Sequence, residues 1–357
     1  MGPGKPNVAE ILVLSKGEDS ASTRYRALQF FDRLKVAGHQ ARHMCLSGGP
    51  ANTFRALKAA GKADLVLVLR KTLPWPVLWL LRRAARRLVF DFDDAIFCNT
   101  DGTPSPTRMS RFSAMVRCCN HVTAGNGFLA ETAARFNPAV SVIPTCVDVS
   151  RYHVGTEQPG DHFDLVWIGS RSTRKYLEAV IPALRTASQQ IPNLRLKIIA
   201  DFDLDAPGFP TLPVTWQADS EAAELASSHV GIAPMRDDDW SRGKCALKVL
   251  QYMAAGLPVV SSPTGVNAEA VIPGETGFLA GNDREWLEAL LALVGNAERR
   301  RQMGLAGRQR VVGLYSSDVV FAGLLAVLEA VLGGKGSPSG TQTMTASPLG
   351  AEKRRTS

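Results

Sequence analysis

Short, nearly continuous apolar runs alternate along this chain with stretches in which apolar residues recur at helical spacing. That is the pattern of parallel strands covered on both faces by helices. Glu10–Ser15, Gln40–Leu46, Ala63–Leu69, Leu88–Phe92, His121–Ala124 and Val140–Pro144 read as strands. Between them the periodicity predicts helices over Ser22–Ala37, Thr53–Ala60, Trp75–Leu88, Arg108–Cys119 and Asn126–Arg135. The polar segment Gly155–His162 (GTEQPGDH) interrupts the pattern and predicts a domain boundary. A second series follows, with strands at Phe163–Ile168, Leu194–Ala200, Val214–Trp216, Val230–Pro234, Pro258–Ser261 and Phe278–Ala280. Its helices begin near Lys175 and then cover Asp219–Ser228, Lys244–Ala255, Asp283–Val294, Ala297–Val312 and Ser317–Leu332. The expected organisation is one α/β unit over residues 1–157, a second over 158–316, a closing helix over 317–332, and a disordered tail over 333–357 with almost nothing to bury.

The most informative stretch is Asp237–Asn267, DDDWSRGKCALKVLQYMAAGLPVVSSPTGVN. Lys244, Lys248, Gln251 and Ala255 recur at spacings of four, three and four, which would place them on one face of a helix. Ala246, Val249, Leu250 and Met253 fall on the opposite, core-facing side, and Gly256 stands where a left-handed C-terminal cap is expected. Two cations beside a helix N-terminus make a site for a phosphate-bearing anion. A solvated lysine face has the same pattern. At the end of the strand Phe163–Ile168, Gly169, Ser170, Arg171 and Lys175 combine a close-approach glycine, a hydroxyl and two cations at a helix start, a second phosphate cradle. A plain capped helix is the alternative.

In the first half, the loop after Glu10–Ser15 has no GxGxxG fingerprint. Arg24 and Arg26 enter the helix just beyond that strand's carboxyl end, where open α/β sheets bind ligands. Leu88–Phe92 leads into Asp91-Phe92-Asp93-Asp94, where crowded carboxylates allow a metal-binding DxD pair (Asp91/Asp93), a phosphatase-type nucleophile, or the polar wall of a cleft. The phosphatase alternative is weak, because Ala95 and Ile96 follow. Arg82, Arg83, Arg86 and Arg87 form a basic stripe behind Trp75 and Trp79, suited to anionic lipid or to a helix packed with its arginines outward.

Composition narrows the class without deciding it. The 357 residues exceed what one core usually serves, and 45% hydrophobic with 21% charged residues suits a globular protein. Forty-one Lys+Arg against 33 Asp+Glu give +8, a diffuse excess that favours an anionic ligand or membrane surface and does not call for nucleic acid. The six cysteines show no CxxC pair and the histidines are scattered, which argues against zinc and for reduced thiols in a cytoplasmic protein. MGPGKPNVAE carries no apolar leader and no run is long enough for a bilayer, so any membrane contact is expected from the surface, at its inner face.

The run LKVLQYMAAGLPVVSSPTGVNAEAVIPGETGFLA, the Gly-Ser-Arg turn after Ile168, and the strings STRYRAL, VFDFDDAIF, VTAGNGFLA and VIPTCVD together resemble a family 4 glycosyltransferase. The resemblance implies the GT-B fold, two Rossmann-like domains facing across a cleft. It implies transfer of a sugar from a nucleoside-diphosphate-sugar substrate to a glycan, lipid or small-molecule acceptor, with retention of configuration and with neither metal nor cofactor. On it, Arg171 and Lys175 correspond to the family's cationic pair, Gly265 and Asn267 join Gly169, Ser170, Lys244, Lys248 and Gln251 as donor-binding, and Arg24 and Arg26 meet the acceptor or the diphosphate. Asp93 or Asp94 would orient the acceptor hydroxyl, and the helix from Ser317 would return to the first domain. The family's paired glutamates fall at Gly243 and Gln251, so both carboxylates are missing. An inactive GT-B fold serving as a scaffold subunit is the corresponding alternative, and a metal-dependent transferase using Asp91 and Asp93 is another.

Overall fold

The computed structural model describes residues 8–155, 161–204, 206 and 208–333. The expected tail from 334 onward and most of the boundary segment lie outside these residues. Six strands, β1 (Glu10–Ser15), β2 (Gln40–Cys45), β3 (Leu65–Leu69), β4 (Leu88–Phe92), β5 (His121–Ala124) and β6 (Val140–Val142), form one sheet in the order β2-β1-β3-β4-β5-β6. A second six-stranded sheet contains β7 (Phe163–Ile168), β8 (Leu194–Ala200), β9 (Thr211–Thr215), β10 (Val230–Ala233), β11 (Val259–Ser261) and β12 (Gly277–Leu279), in the order β12-β11-β10-β7-β8-β9. Every pairing in both sheets is parallel. The central strands are buried along their whole length, as in β3 (LVLVL), and this is why they read as continuous apolar runs rather than alternating ones. The strand order reverses between β1 and β3 in the first sheet and between β7 and β10 in the second, and ligands of open α/β sheets lie outside the carboxyl ends at such points.

The strands fall close to their expected spans, whereas three helical segments differ. The segment from Ser22 to Ala37 is a helix at Ala21–Arg26, a 3-10 turn at Leu28–Phe30 and a second helix at Phe31–Val36. The break falls at Ala27, whose φ of −141° leaves the helical region. The helix from Trp75 stops at Ala84, and Ala85 is extended. Arg86 and Arg87 therefore leave the helix, Arg86 pairs with Asp64 at 3.0 Å, and the four-arginine stripe is not a helical face. The helix carrying Lys248 spans only Leu247–Ala254, because Ala246 takes a left-handed φ of 55°. Lys244 precedes it, beyond a short helix at Asp239–Arg242. Gly256 does terminate the helix with φ +75°.

The final helix, Ser317–Gly333, packs on the first sheet: Val320, Leu324 and Leu328 join Ile11, Val13, Phe30 and Leu34 in one buried cluster. The tilted rings of Phe321 and Phe30 lie 5.6 Å apart, and Arg33 reaches Asp318 at 2.7 Å and Ser317 at 2.9 Å. Each fully buried leucine contributes about 1.5–3 kcal/mol, so the helix ties the chain's end firmly to its beginning. Among the described residues no helix is long and apolar enough to cross a membrane. All six cysteines are free.

Candidate active site between the two sheets

The carboxyl edges of the two sheets face one cavity of about 530 Å³, lined from the loops after β1, β3, β4 and β6 on one side and after β7, β8, β9, β10 and β11 on the other. On the first side, Asp91 at the end of β4 is buried against Arg26, which donates through Nε at 2.7 Å and Nη2 at 2.5 Å. Thr123 Oγ1 adds a third hydrogen bond at 2.7 Å, and Arg26 Nη1 donates to the Ile143 carbonyl. Burial pulls the Arg26 guanidinium down, but the adjoining Asp91 charge more than offsets this and holds it above its ordinary value. Two expectations are corrected here. Arg26 is a structural ion pair that does not line the cavity, and Asp91 has its carboxylate committed, so the DxD metal pair loses its first member.

Asp93 and Asp94 do line the cavity. Ser22 Oγ donates to Asp93 at 2.8 and 2.9 Å. Asp94 is held by Lys244 Nζ at 2.7 Å and by the Arg70 guanidinium, a charge cluster that joins the two halves. Arg70 adopts a left-handed φ of 53°, which costs about 1–3 kcal/mol for a residue with a side chain. Its N–H donates to the Asp91 carbonyl at 2.6 Å and its Nη1 to Ser22 Oγ at 2.9 Å, so the strained backbone aims a cation across the acidic loop.

On the second side, Gly169 leaves β7 where a Cβ would lie 2.3 Å from the Trp167 ring, so glycine is required. Gly169 and Ser170 line the cavity, but Arg171 and Lys175 do not. Arg171 turns to Asp201 and Lys175 donates to the Thr100 carbonyl at 2.5 Å. The expected cationic pair thus lies outside the cavity, Arg171 exposed and Lys175 half-buried. Gly265 also lies off its wall, starting the helix Val266–Ala270 at φ +53°, while Asn267 faces the cavity and donates to Ser261 Oγ at 2.9 Å.

The lysine segment is fastened across the cleft: Asn126 Nδ2 donates to the carbonyls of Arg242 and Lys244, both at 3.1 Å. A Cβ at Gly243 would stand 2.6 Å from Ala95, so the position of the family's first glutamate is sterically closed. Lys248 is half-buried and its ammonium lies 4.4 Å from the Trp167 ring centroid. Burial, with Lys244 nearby, pushes its pKa down to about 7. Of the four cations lining the cavity, Lys244 and Arg70 share Asp94, whereas Lys248 and Arg24 face no carboxylate partner among the described residues. Arg24 sits over the Trp216 ring at 5.0 Å with its buried Nε unpaired.

Gln251, at the second glutamate position, is buried and donates to Glu221 Oε1 at 2.7 Å. Tyr152 OH donates to the same oxygen and Trp216 Nε1 to the other, each at 2.7 Å. Glu221 lines the cavity, so a carboxylate is present there after all, supplied from a different helix. Sequence reasoning missed Glu221 and Arg70 as site residues. A cation ending the apolar strand β3 was the signal for Arg70; no sequence spacing links Glu221 to Gln251.

Two parallel sheets with their carboxyl edges closed on one cavity constitute the GT-B glycosyltransferase fold, and residues 162–296 match the family described as Glycosyl transferases group 1. Among solved structures, the sucrose-phosphate synthase from Thermosynechococcus elongatus is similar over 91% of this chain and 100% of its own, with 15% identity and a TM-score of 0.70. Anabaena Alr3699/HepE, solved in complex with UDP and glucose, covers 90% of this chain and 100% of its own, at 15% identity and a TM-score of 0.69. The lipopolysaccharide outer core galactosyltransferase WaaB is similar over 90% of this chain and 99% of its own, at 10% identity and a TM-score of 0.63. At such identities the likeness concerns the fold. The spore coat protein SA of Bacillus subtilis (strain 168) is 29% identical over 82 residues, so the chain spans about a fifth of the length of that curated relative, 22%.

Proposed function

We propose that this chain is a hexosyltransferase of family 4 type that moves a sugar from a nucleoside-diphosphate sugar to a glycan, lipid or small-molecule acceptor. It does so with retention, and without metal or cofactor. The observation that carries this is the pair of cations, Lys248 and Arg24, that have no carboxylate partner among the described residues, in an interdomain cavity already charged by Lys244 and Arg70. The donor diphosphate lies against Lys248 and the first-turn N–H groups of the helix Leu247–Ala254, which stabilise the charge that grows on the leaving group. That HepE was solved with UDP and glucose supports a donor of this class.

Asp94 is a positioning residue that fixes Arg70 and Lys244, whereas Asp93, held mainly by the Ser22 hydroxyl, orients the acceptor hydroxyl. The acceptor oxygen bonds to the anomeric carbon on the face from which the phosphate leaves. The bond from that carbon to the phosphate oxygen breaks, and the hydroxyl proton passes to the departing phosphate. Binding should be sought by a thermal-shift screen of nucleoside-diphosphate sugars, followed by titration of the best donor. K244A/K248A should lose that binding; an unchanged titration curve would remove these lysines from the site.

The same proposal places the enzyme in the cytoplasm, at times on the inner face of an anionic membrane. The support is the exposed face of Trp75, Trp79 and Leu80 beside Arg83, whose guanidinium lies 4.9 Å from the Trp79 ring. Co-sedimentation with phosphatidylglycerol vesicles should fall on W75A/W79A substitution, and equal pelleting of both proteins would dismiss the contact.

A further inference from the structure

Beside the donor cavity, and sharing Arg70 with it, lies a second cavity of about 510 Å³. Its polar wall includes Arg70, Lys71, Ser105, Thr107, Arg108 and Arg111, and among the described residues no acidic one lines it. Lys71 Nζ is fixed by neutral acceptors only, the Leu46 carbonyl at 3.1 Å and Ser47 Oγ at 3.3 Å. Arg108 and Arg111 stand one turn apart on the helix Pro106–Cys118. Neither guanidinium has a carboxylate partner among the described residues. Ser105 and Thr107 bring two hydroxyls to the start of the same helix, where Pro106 has no N–H and Ser105 Oγ caps that of Arg108, so the charge of this wall comes from its side chains. Four cations around one cavity repel each other unless an anion occupies it, and paired arginines match a phosphate in fork geometry. Arg70, in contrast, pairs with Asp94 and so connects this cavity to the acidic loop of the donor site.

We propose that the second cavity binds the phosphate or diphosphate of a phosphate-bearing acceptor, whose hydroxyl then reaches past Arg70 to Asp93. This rests on the glycosyltransferase reading for the role of the ligand, though not for the binding of the anion. Arg70 serves both cavities: it holds Asp94 on one side and faces the acceptor phosphate on the other. A neutral glycan would leave this wall unused.

The test is a calorimetric titration of the full chain with inorganic pyrophosphate, comparing wild type, R108A/R111A and K244A/K248A. Arg108 and Arg111 are exposed, so their removal should leave the fold intact. Wild type should show two classes of site. R108A/R111A should weaken one class by about tenfold or more, the loss expected for charge-assisted contacts, and K244A/K248A should weaken the other. If R108A/R111A titrates as wild type does, or wild type binds no pyrophosphate, the acceptor cavity is refuted. If only K244A/K248A fails to change the curve, the donor assignment fails and the acceptor cavity stands. A second arm compares decyl phosphate with inorganic phosphate at the Arg108/Arg111 site: tighter decyl phosphate binding identifies a lipid-linked phosphate, and equal binding a free one.

Discussion

Replacing Lys248 by methionine keeps a long apolar stem over Trp167 and deletes the charge. The displacement of this lysine from 10.5 to about 7 corresponds by linkage to roughly 4 kcal/mol of destabilisation at pH 7, at about 1.4 kcal/mol per pH unit. The residue is half-buried rather than sealed, so solvent screening reduces this to about 2 kcal/mol. The sign follows from the depressed value. Below pH 7 both folded and unfolded chains carry the proton, and the folded one bears the full penalty. Between pH 7 and 10.5 the unfolded chain holds a proton that the folded chain has released, so stability rises with pH, and above 10.5 the penalty is gone. K248M should therefore melt about 4 °C above wild type near pH 7, with the gain fading toward pH 10. The same variant should lose donor affinity and the proton uptake that accompanies diphosphate binding at pH 8, read by calorimetry in buffers of different ionisation enthalpy. A K248M protein no more stable than wild type at neutral pH, or a gain that persists at pH 10.5, would refute the reasoning.

Removing one partner of the buried Arg26–Asp91 pair by R26M should cost about 3–5 kcal/mol, measured by urea unfolding; a cost under 1 kcal/mol would mean that Asp91 finds water instead. E221Q replaces one of the two accepting oxygens by an amide N–H and so opposes either Trp216 or the Gln251 and Tyr152 pair with a donor, which should destabilise by about 1–3 kcal/mol and lower donor affinity. Wild-type affinity in E221Q would confine Glu221 to a structural role. Transfer activity should survive EDTA, and its loss, restored by added Mg²⁺ or Mn²⁺, would return a metal to the account.

The two-sheet architecture was legible because parallel strands buried on both faces announce themselves as apolar runs, and β3, β4 and β7 fell within two residues of their expected bounds. The site was only partly legible. Lys244 and Lys248 share a helical spacing in sequence, yet the left-handed turn at Ala246 separates them, and tertiary contacts from Asn126 and Asp94 decide where Lys244 points. Arg171 and Lys175 have the right spacing for a phosphate cradle and still reach Asp201 and the Thr100 carbonyl rather than the cavity, because nothing in a spacing specifies side-chain direction. The missing glutamates looked like lost function. In three dimensions one position is closed by Ala95 and the other donates to Glu221, thirty residues away.

The central claim is sugar transfer from a nucleoside-diphosphate donor, with Asp93 orienting the nucleophile. It is tested most directly by incubating the purified chain with sugar-labelled donors chosen by thermal shift and following release of the nucleoside diphosphate and the label. Wild type should release nucleoside diphosphate and pass the label to water or acceptor, while D93N binds the donor equally and releases little of either. No turnover of any bound donor, or undiminished turnover by D93N, would contradict the account.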